Sequence, residues 1–238
     1  MAASVAERLA EVQDRIARAA KAAGRSPDDV HLLAVSKFQP VAAVAEAINA
    51  GQRFFGENRF QGTPEKIEAI RQQFPQLANE LHWSFIGTLQ SNKVKPILEL
   101  FTSVQSIDRL KLLNRADRIA GELGVTAKVL LQVNVSGADT QGGVELTELE
   151  DLAVAASKLD HVSVNGLMAI GPLTDNRDTI RKAFAEVRAA AGRLTNLNLP
   201  HVSMDTLSMG MTDDYDIAIE EGSTMVRIGT AIFGPRQT

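Results

Sequence analysis

The strongest constraint on this chain is an alternation that runs almost its whole length: eight short apolar runs, each followed by a stretch of helical pattern. The runs are His31 to Ser36, Phe54 to Gly56, Leu81 to Gly87, Phe101 to Ile107, Lys128 to Val135, Val162 to Ile170, Thr206 to Met209 and Met225 to Phe233. Between them lie Val41 to Ala50, a polar stretch through Phe74, a lysine-bearing segment, Arg109 to Leu123, Leu146 to Leu159, Thr179 to Leu194 and Tyr215 to Glu221. Strands that alternate with helices imply a parallel sheet with crossover helices. Eight such units within 238 residues predict a (β/α)8 TIM barrel. An open doubly wound sheet is the alternative. The eighth run has no helix behind it. An extra amphipathic helix precedes the first, with Val5, Leu9, Val12, Ile16 and Ala19 or Ala20 on one face and Gly24 to end it, and it is expected to replace the missing one. No Pro/Gly/Ser-rich tract or charge block marks a linker, so residues 1–238 are read as a single domain.

Composition removes several function classes. Lysine and arginine number 25 against 29 acidic residues, a net charge of −4, which argues against a nucleic-acid or membrane-surface binder. The chain has no cysteine, so disulfides, thiolate metal sites and cysteine nucleophiles are excluded, and a reducing cytoplasmic location is expected. No apolar run reaches membrane-spanning length. Glu7, Arg8, Glu11, Asp14 and Arg15 break up any signal-peptide core.

In a barrel of this kind reactive groups sit at the C-terminal ends of the strands. Lys37 follows the first run directly. A lysine partly desolvated at a barrel mouth offers the neutral amine that an imine with an aldehyde requires; the structural alternative is that it pairs with Glu57 or reaches out to water. The ends of runs seven and eight carry Ser208, Gly210, Gly229 and Thr230, hydroxyls and open backbone suited to a phosphate; equally, such residues mark turns and helix caps. Arg227 is a permanent charge inside an apolar strand and must find a partner: a ligand group, or a structural carboxylate among Asp205, Asp213, Glu220 and Glu221. The four histidines lack metal-ligand spacing. Glu220-Glu221 and Asp213-Asp214 read as a solvated helix face or an N-terminal charge bias. Lys93 and Lys95 read as exposed, with a second anion as the functional alternative.

Taken together, Leu33-Ala34-Val35-Ser36-Lys37, Phe55-Gly56-Glu57-Asn58, Phe85-Ile86-Gly87-Thr88-Leu89-Gln90-Ser91-Asn92-Lys93, Leu131-Gln132-Val133-Asn134, Gly166-Leu167-Met168, Leu207-Ser208-Met209-Gly210-Met211 and Met225 to Gly234 resemble the pyridoxal phosphate homeostasis protein family (YggS/PROSC/PipY). The resemblance implies a barrel like the N-terminal domain of alanine racemase, with one pyridoxal 5′-phosphate. It implies that Lys37 forms the imine with the cofactor aldehyde and that Arg227 faces the pyridine nitrogen. Ser208, Gly229 and Thr230, with the backbone of Met209 and Gly210, would hold the phosphate, and Asn58 would line the pocket beside the ring. Two positions depart from the family pattern: Ser84, where a histidine is usual, and Gln141, near a position where many members carry lysine.

An arginine partner leaves the pyridine nitrogen unprotonated and the ring a weaker electron sink. Barrel racemases with that feature add an opposing base, usually a tyrosine from a second domain, whereas this chain has one tyrosine, Tyr215. The expectation is a monomeric, non-catalytic carrier that holds and releases pyridoxal phosphate, with apo-enzymes as possible partners. A minimal racemase or lyase is the second reading, and a sugar- or indole-phosphate barrel enzyme the third.

Overall fold

The fold is given by a computed structural model that describes residues 3–136 and 141–235. The segment from Gly137 to Thr140, part of the loop singled out above, lies outside the described residues. Strands β1 (His31–Val35), β2 (Phe54–Glu57), β3 (His82–Phe85), β4 (Ser103–Ile107), β5 (Ala127–Asn134), β7 (Val162–Ala169), β8 (Val202–Ser208) and β9 (Met225–Ile228) pair in parallel. The sheet order β4-β3-β2-β1-β9-β8-β7-β5 is closed by pairing of β4 with β5. Closure excludes the open doubly wound alternative. A two-residue strand β6 (Val144–Glu145), not expected from the sequence, adds to the end of β5.

Helices α2 (Val41–Asn49), α3 (Thr63–Gln73), α4 (Val94–Leu100), α5 (Leu110–Leu123), α6 (Leu149–Ala156), α7 (Arg177–Asn196) and α8 (Tyr215–Glu220) form the crossovers. Helix α1 (Val5–Ala22) starts at Ser4, whose hydroxyl accepts from the Glu7 N–H while the Glu7 carboxylate accepts from the Ser4 N–H. It buries Val5, Leu9, Val12, Ile16 and Ala20 against α2, α8 and the short C-terminal helix α9 (Thr230–Phe233), completing the outer ring where an eighth crossover helix would lie. Most strands are buried on both faces, as parallel strands between a barrel interior and a helical shell must be, which is why they read as continuous apolar runs.

Two boundaries differ from the sequence reading. The eighth strand ends at Ile228, and the apolar residues after it form α9. Ile232 and Phe233 stay buried through the turn, so hydrophobicity does not fall where the strand stops. The seventh strand begins at Val202, four residues before the expected run, because Ser203 and exposed Asp205 interrupt the apolar pattern while the backbone still pairs with β7. That pairing is close. Gly166 has φ +149°, and a Cβ there would lie 1.8 Å from the Thr206 carbonyl oxygen, so only glycine fits.

Candidate active-site mouth

The chain leaves β1 through a fixed turn. The Ser36 carbonyl accepts from the Gln39 N–H at 3.0 Å, and Phe38 takes a left-handed φ of 63° with the Arg59 guanidinium over its ring. Ser36 is itself clamped. Its hydroxyl donates to Glu57 Oε1 at 2.8 Å, and Lys66 Nζ of α3 donates to both the Ser36 carbonyl and Glu57 Oε1, at 2.9 Å each. Glu57 is 2% exposed, so its charge needs a cation. Lys66 supplies it. The pairing of Lys37 with Glu57 considered above therefore does not occur: Lys37 is half-buried and makes no hydrogen bond or ion pair with the described residues.

Arg227 projects from β9 into the barrel and is buried. None of the four carboxylates considered for it pairs with it. Glu220 binds Arg181, Glu221 binds Arg181 and Arg188, and Asp205 is exposed. Arg227 instead donates to three oxygens: Ser208 O at 2.5 Å, Ser208 Oγ at 2.9 Å and Ala169 O at 2.8 Å. Two of its five N–H groups are left without an acceptor among the described residues, and the residue lines the cavity described below. Burial pulls the guanidinium down to about 10 against the attraction of Asp214, so it stays cationic at neutral pH. Arginine can only donate, so Ser208 Oγ must accept from it and pass its own proton onward to Gln105 Oε1, 2.7 Å away on β4.

The loop after β8 is equally determined. Gly210 has φ +96°, and a Cβ there would lie 2.6 Å from that of Ala218. Its carbonyl accepts from the Arg227 N–H at 2.9 Å, while the Met209 N–H donates to the Met225 carbonyl at 3.1 Å. Asp214 Oδ1 accepts from the Met211 N–H at 2.6 Å. Burial raises the Asp214 carboxyl above its ordinary value. Asp214 and Glu221 are buried, so each acidic pair is solvated only at its other member; Asp213-Asp214 lies at the N-terminal end of α8, with Asp214 at the N-cap, as a charge bias there would have it. After β9, Gly229 and Thr230 open α9, whose first N–H groups have no intrahelical acceptor.

These elements enclose a cavity of about 200 Å³ at the C-terminal end of the barrel, which brings together Lys37, Arg227, Gly229 and Thr230. Val35, Gln39, Ile86, Met211, Thr212 and Gly234 complete its lining. Asn58 lines a second cavity of about 220 Å³ that shares Lys37 and Gln39 with the first, and its buried Oδ1 has no hydrogen-bond partner. Ser208, Met209 and Gly210 line neither cavity, and the Ser208 hydroxyl is committed to Arg227 and Gln105. Tyr215 is buried in α8 with its ring beneath Arg15 and lines neither cavity. Ser84 is bonded to Ser103 within the sheet. No cluster of metal-ligating side chains occurs among the described residues.

Sequence reasoning missed Lys66 and Gln105. Each left a trace: Lys66 falls on the inward stripe Thr63, Ile67, Ile70 of α3, and Gln105 sits inside a strand.

Residues 8–237 match the alanine racemase N-terminal domain family. The pyridoxal phosphate homeostasis protein of Escherichia coli (strain K12) is 45% identical over 98% of this chain and 97% of its own length. The chain belongs to the pyridoxal phosphate homeostasis protein family. The family member from Pseudomonas aeruginosa is 47% identical over 98% of this chain and 96% of that one. Among solved structures, PipY of Synechococcus elongatus with pyridoxal phosphate bound superposes with a TM-score of 0.81 at 37% identity, over 97% of this chain and 100% of that chain. An alanine racemase from Streptomyces coelicolor superposes at 0.68 with 16% identity, over 94% of this chain but 58% of its own, a likeness of fold alone.

Proposed function

We propose that this chain binds pyridoxal 5′-phosphate at the barrel mouth and serves its homeostasis, holding and releasing the cofactor without turning over a substrate. The reading is carried by one observation: an amine left without a protein partner, at a cavity whose floor is a buried, fully oriented guanidinium. When bound, the cofactor supplies an aldehyde able to condense with an amine, and Lys37 is the amine at hand. Arg227, cationic and already holding three acceptors, offers its remaining N–H to the pyridine nitrogen. Gly229 and Thr230 present N–H groups and a hydroxyl to the phosphate. Met209 and Gly210 shape the backbone beside it, and Ser208 contributes by orienting Arg227. The unbonded Asn58 Oδ1 offers an acceptor on the far side of Lys37.

The absence of turnover is supported by the lining. Among the described residues that line the first cavity only Lys37 and Arg227 are titratable, and in the adjoining cavity Glu57 and Lys66 are committed to each other. The names of the relatives point the same way. No helix among the described residues is long and apolar enough to cross a membrane. We further propose a monomeric cytoplasmic barrel whose recipients are apo-enzymes that use the cofactor.

The test is spectroscopic. Protein mixed with pyridoxal phosphate is expected to develop an absorption band in the violet, and borohydride reduction followed by peptide mapping to find the label on Lys37. Lys37→Ala is expected to lose the band yet keep weaker binding through the phosphate and ring contacts. Absence of the band, or labelling elsewhere with Lys37 untouched, overturns the assignment. Proton exchange at the α-carbon of an amino acid, lost in Lys37→Ala, would instead make this an enzyme.

A further inference from the structure

On the outer wall, away from the cavities that meet at Lys37, a cleft of about 520 Å³ opens between the turn that leads into α4 and one face of α5. Its lining is Ser91, Asn92, Lys111, Asn114, Arg115 and Arg118. The last four fall at positions i, i+3, i+4 and i+7 of α5, so one helical stripe presents three cations and an amide toward a hydroxyl and an amide across the gap. No carboxylate among the described residues lines the cleft. In a chain of net charge −4 this concentration is local and not a reflection of the whole surface.

Two of the three charges are also unspent. Arg118 pairs with Glu122, one turn further along. Lys111 and Arg115 make no ion pair or hydrogen bond with the described residues, and Arg115 Nε is buried with no partner among them. An ionised donor shut from water and left unbonded is costly unless something completes it. A side-on engagement through Nε and one Nη is how a guanidinium grips an oxyanion.

We propose that this cleft is a second, anion-binding site that takes the phosphoryl group of a small phosphorylated metabolite. Three cations with three neutral donors suit a dianion with three oxygens better than a carboxylate with two. The remaining volume accommodates an organic body beside Ser91 and Asn92. A nucleic acid fits less well, since no aromatic side chain lines the cleft for a base to stack on. The site stands independently of the pyridoxal phosphate reading.

The experiment is a nuclear magnetic resonance titration of the whole chain, labelled with nitrogen-15, with inorganic phosphate and pyrophosphate at constant ionic strength. Saturable shifts are expected in the Arg115 Nε–H signal, identified by its loss in Arg115→Lys, and in the Asn92 and Asn114 side-chain amides. Pyrophosphate is expected to bind more tightly than phosphate. Lys111→Gln, at an exposed position that leaves the core untouched, is expected to weaken binding about tenfold, and Lys111→Glu to abolish it. Shifts confined to Gly229 and Thr230 would assign the anion to the barrel mouth and overturn the proposal. So would an unchanged affinity in Lys111→Gln, or binding of a single-stranded oligonucleotide in preference to pyrophosphate.

Discussion

Replacing Lys66 with methionine isolates the interaction that frees Lys37. The substitution keeps the length of the side chain and removes its charge, leaving the Glu57 carboxylate buried with only the Ser36 hydroxyl for company. Breaking a buried pair by deleting one partner costs about 3–5 kcal/mol, mostly the penalty of the charge left behind. In a chain of this size each kcal/mol lowers the melting temperature by about 2–4 °C, so a fall of about 6–20 °C is expected. The double variant Glu57→Gln/Lys66→Met removes both charges, and calorimetry should find most of the loss recovered. The single variant has a second signature. Lys37 lines the same cavity as Glu57, and an unpaired Glu57 should draw it in, so Lys66→Met is expected to lose much of the violet band although Lys37 is intact. A single variant as stable as the parent, a double variant as unstable as the single, or a band of undiminished strength in Lys66→Met would refute the reasoning.

Arg227→Gln is expected to retain the covalent band at a shifted wavelength and to bind the cofactor at least about tenfold more weakly, read by absorbance titration; an unchanged spectrum and affinity would make Arg227 purely structural. Gly210→Ala forces a Cβ into Ala218 at a left-handed backbone position and should destabilise the fold by about 1–3 kcal/mol in urea unfolding, with weaker cofactor retention. Asp214 is held above its ordinary 3.8 chiefly by desolvation, so above that pH the native state binds more protons than the unfolded chain and the contribution of Asp214 to stability falls as pH rises. Asp214→Asn, which keeps an acceptor for the Met211 N–H, should therefore gain stability relative to the parent as pH rises above the ordinary carboxylate value; a pH-independent difference would show that Asp214 does not titrate in this way.

The barrel was legible because burial on both faces turns parallel strands into uninterrupted apolar runs, and Lys37 and Arg227 stood out against that background. Lys37 ends such a run and Arg227 interrupts one. What Arg227 does inside was not legible, since its acceptors are carbonyls of β7 and β8 and carbonyls have no sequence signature. A buried cation does not need a bonded anion here: three well-placed oxygens, with the attraction of Asp214, suffice. Ser208 illustrates the same limit. Its place at a strand end suggested a hydroxyl open to a phosphate, but the hydroxyl accepts from Arg227 and donates to Gln105, 103 residues away. The eighth strand was overextended because Ile232 and Phe233 remain apolar to pack beneath α1, so the turn at Gly229 leaves no mark in hydropathy.

The three cations around the end of β1 differ in what the protein gives them. Lys66 receives a carboxylate, Arg227 receives two carbonyls and a hydroxyl, and Lys37 receives nothing. Arg227 is buried and Lys66 largely so, and both would be costly without those partners. Lys37 can go without because its amine is half in water. An amine bonded to Glu57 would have to surrender that bond before meeting an aldehyde, and each 1.4 kcal/mol so lost is about a tenfold loss of affinity. By satisfying Glu57 from α3, on the side away from Arg227's cavity, the fold removes that competition in advance. Lys66 thus does for Lys37 what Gln105 does for Arg227. In both cases a side chain that the sequence presents as ordinary fixes the bonding of a neighbour, and the group facing the cavity is left with valences to spend on whatever enters it.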